Sequence, residues 1–489
     1  MSKKRKRISL AVWLALILAS LAGVVLTGSS AQNESIQEIM RDAVLHESNK
    51  LDLFGMEVNP GLISAFTVTG LLLLAALLIR IFVIPKFKYV PGKFQLLLEQ
   101  LVGFFNGIAV GAGVVIARYY GAKDNEKLQT AVHTTLAFGL TAGIVLTVLG
   151  MTLTPQLLRL MKTDTDVLPN SIDYFRMYFA GSIAIVMYNL CVGILQAVGD
   201  SRHPLYYLIL SSLVNIALDL LFVGVFHWGV WSAALATSIS QFVSLGLCIF
   251  RLCHYDTVYR VCLRKIRFHL PMLKQVIHFG LPSGVQNSII AFANVIVQSN
   301  INAFGSNAMA GCGTYAKLEG FAFLPITCFT MALTTFVSQN LGAKAYDRVK
   351  KGIRVGIFCS VTIAETVALL IFIFSPKLIG LFTGDAESIA FGVMHERTTT
   401  PFFFLLAYSH CMAAIFRGAG KSTVPMLVMM LCWCIIRVIY VTVAVKFFPV
   451  LQTVSWAYPI TWGLSTLVFT LYYFKADWMH AFERREKHA

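Results

Sequence analysis

Gly121-Ala122-Lys123-Asp124 returns 221 residues later as Gly342-Ala343-Lys344-Ala345, and the reading of the whole chain follows from that distance. At the same offset Pro155-Gln156-Leu157 answers to Pro376-Lys377-Leu378, Asp164 to Asp385, and Arg176 to Arg397. Val198-Gly199-Asp200-Ser201 likewise answers to Ala419-Gly420-Lys421-Ser422, with Pro204 matched by Pro425. A gap-free offset held over some 300 residues implies two copies of one unit. Membrane bodies built this way bind substrate between their halves.

Hydrophobic residues make up 57% of the 489 positions and charged residues 13%. Apolar runs long enough to cross a hydrocarbon core of about 30 Å recur along the chain. In lipid, such runs must be helices. The expected fold is therefore an all-α polytopic membrane protein, a two-lobed bundle of about thirteen membrane segments. After runs at 8–28, 60–84 and 101–117, ten more are expected, at 129–153, 168–196, 204–226, 229–252, 272–303, 310–341, 352–374, 387–416, 423–446 and 453–474. Lys3-Lys4-Arg5-Lys6-Arg7 before the first run also suits a cleaved signal peptide, but 21 apolar residues favour a retained helix.

The net charge of +16 reports topology. Basic residues gather in alternate loops: Arg118, Lys123 and Lys127; Arg260, Arg264, Lys265 and Arg267; Lys344, Arg348, Lys350, Lys351 and Arg354; and Arg484, Arg485 and Lys487. That bias marks the cytoplasmic side and removes nucleic acid as a partner. No stretch between spans could house a catalytic domain, and no Ser–His–acid grouping or metal-ligand spacing occurs, so an enzyme is not expected. The ten cysteines, mostly within spans, read as small buried hydrophobes.

Upstream of about residue 104 the repeat disappears. Gly280-Leu281-Pro282 and the Asn294–Asn302 run have no counterparts 221 residues earlier, so the first lobe is expected to lack its first helix and part of its second. The expected divisions are 1–103, an unrelated membrane segment; 104–252, an incomplete first lobe; 253–270, a basic linker; 271–475, a complete second lobe; and 476–489, a cytoplasmic tail. Basic residues on both sides of 101–117 (Lys86, Lys88 and Lys93, then Arg118 and Lys123) leave the crossing of that run open.

Gly111-Ala112-Gly113, Gly121-Ala122-Lys123-Asp124, Gln196-Ala197-Val198-Gly199-Asp200-Ser201, Asn215-Ile216-Ala217-Leu218-Asp219 and Phe416-Arg417-Gly418-Ala419-Gly420 occur in order from residue 104 to about 475. Together they resemble the MATE (multidrug and toxic compound extrusion) family, particularly its bacterial members. The resemblance implies twelve helices in two bundles and export of organic, often cationic, compounds in exchange for Na⁺ or H⁺. It further implies a monomer in the bacterial cell membrane, with no other cofactor. Asp52-Leu53-Phe54-Gly55 and Val90-Pro91-Gly92-Lys93-Phe94-Gln95-Leu96-Leu97-Leu98-Glu99 resemble the beginning of subunit a of the rotary ATP synthase, whose essential arginine has no counterpart here. A fusion without transport function, a flippase of lipid-linked precursors, and an ATP synthase subunit a are the alternatives.

Asp219 is the leading candidate for cation coupling, because an acid within a span costs about 2.5–3.5 kcal/mol on insertion. Asn215 shares its helical face four residues earlier. Thr237 sits on the following span in Leu235-Ala236-Thr237. Carboxylate, amide and hydroxyl oxygens suit a small hard cation or a held proton. The resemblance joins these three to an aspartate on the first helix, which this chain is expected to lack; apart from Na⁺ there, no metal is expected. A helix-end acid bonded to Asn215 is the plainer reading. Glu319, Gln286, Asn287, Asn294 and Gln298, with Asn302, are candidates for lining a substrate cavity; interfacial placement or bonds between helices are the plainer uses. Glu365 is a weaker candidate.

Overall fold

The computed structural model describes residues 51–53, 56–58, 92–160, 168–255 and 257–482, with side chains from residue 107 onward except at a few positions. The runs at 8–28 and 60–84, the stretch resembling subunit a apart from β1, β2 and the helix from Gly92, Asp164, and Arg484 to Lys487 lie outside the described residues. Near the amino end, β1 (Leu51–Leu53) pairs antiparallel with β2 (Met56–Val58), with Asp52 opposite Glu57.

The body from Gly92 is helical. Its first half comprises α1 (Gly92–Gly121), α2 (Asn125–Leu160), α3 (Leu168–Ala180), α4 (Ser182–Ala197), α5 (Arg202–Asp219) and α6 (Trp231–His254). Its second half comprises α7 (Leu270–Asn302), α8 (Ser306–Gly342), α9 (Tyr346–Gly380), α10 (Ala386–Thr399), α11 (Phe403–Gly418), α12 (Thr423–Met429), α13 (Arg437–Phe447) and α14 (Leu451–Lys475). Among the described residues, eight helical rods are long and apolar enough to cross a membrane, or nine if α3 and α4, bent by 41°, form one broken span. At 30 residues, α1 is a continuous helix about 45 Å long. At the repeat distance α8 would begin at residue 85, and the described part of α1 begins at Gly92, so α1 covers most of the counterpart of α8.

Helix ends recur at the repeat distance. Lys123 and Lys344 both take left-handed backbone, with φ of 57° and 55°, which non-glycine residues rarely adopt. Gly199 and Gly420 do the same at 94° and 74°. Each turn closes with the double bond of a Schellman cap. Asp124 N donates to Tyr119 O and Ala345 N to Asn340 O; Asp200 N donates to Leu195 O and Lys421 N to Phe416 O.

The halves meet closely where α1 crosses α7. Gly107 faces Gly284 and Gly111 faces Gly280, an antiparallel pairing of two Gly-x-x-x-Gly faces on which any Cβ would overlap the opposing backbone. Small residues that admit such approach are the usual means of packing helices in lipid. At the ends of α1 and α8 the backbones of Gly121 and Gln339, and of Gly342 and Arg118, are in close contact. Ser338 Oγ donates to Val114 O at 2.7 Å and Gln339 Nε2 to Ala197 O at 2.7 Å. Tyr119 Oη donates to Gln275 Oε1, and the Arg118 guanidinium lies 4.4 Å from the Phe482 ring of the tail. These contacts tie the halves together at the end that carries the basic turns, the cytoplasmic end by charge. Cys191, Cys248, Cys312, Cys411, Cys432 and Cys434 are buried, whereas Cys262 and Cys328 are exposed, a correction to the reading of uniform burial.

Candidate functional site

In the first half, Asn215 and Asp219 stand one turn apart at the carboxyl end of α5. Beyond Asp219 the helix widens into a π segment, Leu220–Val225, a local rearrangement frequent at functional sites. Asn215 Nδ2 reaches Thr237 Oγ1 on α6 at 3.5 Å, and Thr237 Oγ1 donates to Ala233 O at 3.0 Å. Asp219 does not bond Asn215; its Oδ1 is buried without a hydrogen-bond partner among the described residues. The Tyr174 phenol on α3 interacts electrostatically with this carboxylate, a neighbour the sequence reading missed. Asn215 and Thr237 thus meet between α5 and α6, with Asp219 one turn farther along α5.

The amides of α7 separate into two sets. Gln286 is 3% exposed and its Nε2 contacts Met429 Sδ at 2.8 Å, so it joins α7 to α12 and does not line an open cavity. Its neighbour Asn287 is exposed, because successive helical residues point about 100° apart. Asn287, Asn294 and Gln298 are all exposed, at spacings of seven and four that keep them on one face. That face is the one carrying Gly280 and Gly284 lower down. Gln298 Nε2 donates to Asn302 Oδ1 at 2.9 Å, which continues the polar stripe to the outer end of α7.

Glu319, partly buried on α8, interacts electrostatically with Arg437 at the start of α13. Arg437 is 2% exposed, donates from Nε and Nη2 to Thr461 Oγ1 at 3.2 and 2.9 Å, and stacks 4.7 Å from the Tyr458 ring. A second π segment, Met430–Ile436, immediately precedes it. Arg437 escaped the sequence reading, although a lone arginine inside an apolar run was visible there. Glu365 Oε2 accepts from Phe404 N at 3.0 Å, capping the bend that follows Thr400-Pro401-Phe402, which is a structural use.

A MatE family profile matches residues 95–221 and 282–443, more than half of the chain. This chain belongs to the MatE family. The match places the start of the MatE body near residue 95 and corrects the boundary at 104 read from the repeat. The probable multidrug resistance protein YoeA of Bacillus subtilis (strain 168) is 30% identical over 332 residues, covering 66% of this MatE chain and 72% of YoeA. The probable multidrug resistance protein NorM of Thermotoga maritima is 25% identical over 367 residues, covering 71% and 76%. A solved multidrug resistance MATE family transporter in an outward-facing conformation superposes with a TM-score of 0.74 at 25% identity, over 78% of this chain and 86% of that one.

Proposed function

We propose that this MatE chain exports organic, often cationic, compounds across the bacterial cell membrane in exchange for Na⁺ or H⁺, working as a multi-pass monomer. The two halves, about 95–252 and 271–475, are the two lobes, and they rock about the glycine crossing of α1 on α7. The stripe of Asn287, Asn294 and Gln298 carries the reading: exposed amides on a spanning helix suit a water-filled cleft and are poorly tolerated against lipid. Closure at the basic end, with a polar stripe continuing outward, fits an outward-open state. The names borne by the relatives point the same way. Glu319 would offer a carboxylate to a cationic compound, beside Arg437.

In this reading Asp219, Asn215 and Thr237 form a cation site. A coupling ion shifts the balance between states only by its differential affinity for them. The aspartate that the family places on the first helix has no counterpart in the sequence of residues 50–105, so coupling through Asp219 is weak. The segment before residue 95 is then an anchor of separate origin, resembling subunit a. Ethidium accumulation in a pump-deficient host tests the function: expression should lower accumulation, and accumulation equal to that of cells with an empty vector would refute export.

A further inference from the structure

A cavity of about 440 Å³ opens at the basic end of the molecule, where the first half meets the second. Tyr120, Lys123 and Asn125 line it from the first half, Val258 from the basic linker, and Asn340 and Arg348 from the second half. Among the described residues, no acidic side chain takes part in its walls. We propose that this cavity is a site for a phosphate group, carried by a lipid headgroup or free in solution, which bridges Lys123 of one lobe and Arg348 of the other.

Both cations stand ready for a ligand. Lys123 is fixed in the left-handed turn after α1, with its side chain exposed. Arg348 is exposed in the first turn of α9, a 35-residue helix with no side-chain cap to satisfy its leading N–H groups. The positive end of that helix adds to the guanidinium. Neither Lys123 nor Arg348 forms an ion pair among the described residues. The neighbouring acids are accounted for: Asp124 binds Lys127 Nζ at 3.1 Å, and Glu126 and Asp347 are exposed outside the cavity walls. Lysine supplies a point charge and arginine a planar fork, two complementary ways of holding phosphate oxygens. The volume falls within the roughly 300–1,000 Å³ of small-molecule pockets, so a headgroup larger than phosphate alone fits.

The cavity has this form because the lobes touch beside it. Gly121 and Gln339, both in its walls, approach backbone to backbone, and Gln339 Nε2 is held by Ala197 O. The linker wall is pinned to α2, since Gln129 Nε2 donates to Val258 O at 2.5 Å and Cys262 N to His133 Nε2 at 3.1 Å. Parting of the lobes at this end would carry Lys123 away from Arg348. A bound phosphate therefore favours the state closed at the basic end, by its differential affinity for that state.

This site does not depend on what the protein exports, so binding to the purified full-length chain is the readout. Radiolabelled orthophosphate probes the free ion; phosphatidylglycerol, compared with phosphatidylcholine by native mass spectrometry, probes the headgroup. Lys123→Asn removes one charge and keeps a residue that accepts left-handed backbone. Arg348→Gln removes the other, and Lys350→Gln, exposed on α9 outside the walls, is the control for net charge. Lys123→Asn and Arg348→Gln should each weaken binding at least about tenfold, the loss of one charge-assisted contact, and Lys350→Gln should leave it unchanged. Gly121→Ala removes no charge and should weaken binding too, because its Cβ would overlap the Gln339 backbone and part the lobes at the cavity. This pattern with orthophosphate assigns a free phosphate; with phosphatidylglycerol alone it assigns a headgroup. Failure of the wild type to bind either probe, or losses no greater than in Lys350→Gln, would overturn the proposal, and unchanged binding in Gly121→Ala would overturn the bridge between lobes.

Discussion

The two lobes keep the same ends and different interiors. Lys123 and Lys344, and Gly199 and Gly420, end their helices in the same left-handed turns at the repeat distance. Inside the bundles, however, Asp219 is matched by Tyr440, Ile216 by Arg437, Tyr174 by His395, and Phe175 by Glu396. The first lobe holds one unpartnered acid beside an amide and a hydroxyl. The second buries an arginine, a histidine and a glutamate among tyrosines and small hydroxyls. Turn geometry is set by backbone demands that both copies share, whereas interior polar groups answer to whatever each lobe binds. Even the π segments differ in register: one follows Asp219, and the other precedes Arg437.

The joint between the lobes is where that comparison is easiest to break. Gly111→Leu would drive a side chain into the Gly280 backbone, and overpacking of this kind costs about 3 kcal/mol. Gly246→Ala on α6, where a Cβ meets nothing within 4 Å, should instead gain up to about 1 kcal/mol of helix propensity. Thermal unfolding in detergent should show a large fall for the first and a small rise for the second. Equal behaviour would mean that the crossing does not hold the lobes together.

A smaller effect separates the two copies of the opening turn. Asp124 Oδ1 accepts from Lys127 N at 3.1 Å and so caps α2, whereas Ala345 at the matched position gives α9 no side-chain cap. Asp124→Ala should lower stability by about 1 kcal/mol, and Ala345→Asp should raise it by about 0.5 kcal/mol. The Lys127 backbone N–H holds the Asp124 carboxyl below its ordinary value of 3.8. The cap's contribution is therefore complete above that value and disappears as pH falls through the lowered one. A wild-type advantage over Asp124→Ala that persisted at still lower pH would contradict this assignment.

Helix placement was legible because long apolar runs admit only helices in lipid, and the repeat distance was legible because identical turns need similar residues. The clustering of Asn215 and Asp219 followed from their spacing alone, and Thr237 came from the family pattern. Other features were hidden for physical reasons. Gln286 and Asn287 are adjacent amides, and only the rotation of α7 decides which is buried. Glu396 lies in His395-Glu396-Arg397, where flanking charges make an acid look interfacial until the bundle closes around it. The start of the MatE body near residue 95 was obscured because α1 continues unbroken through the point where repeat identity fades.

The central claim is that the two halves carry organic compounds across the membrane in exchange for Na⁺ or H⁺. Gradient-driven ethidium flux in proteoliposomes, with Na⁺ and H⁺ gradients imposed in turn, tests it most directly. One of the two gradients should raise flux above its gradient-free level, and Asp219→Asn should reduce the gradient-driven component by less than about threefold. A flux that neither gradient changes would contradict the account.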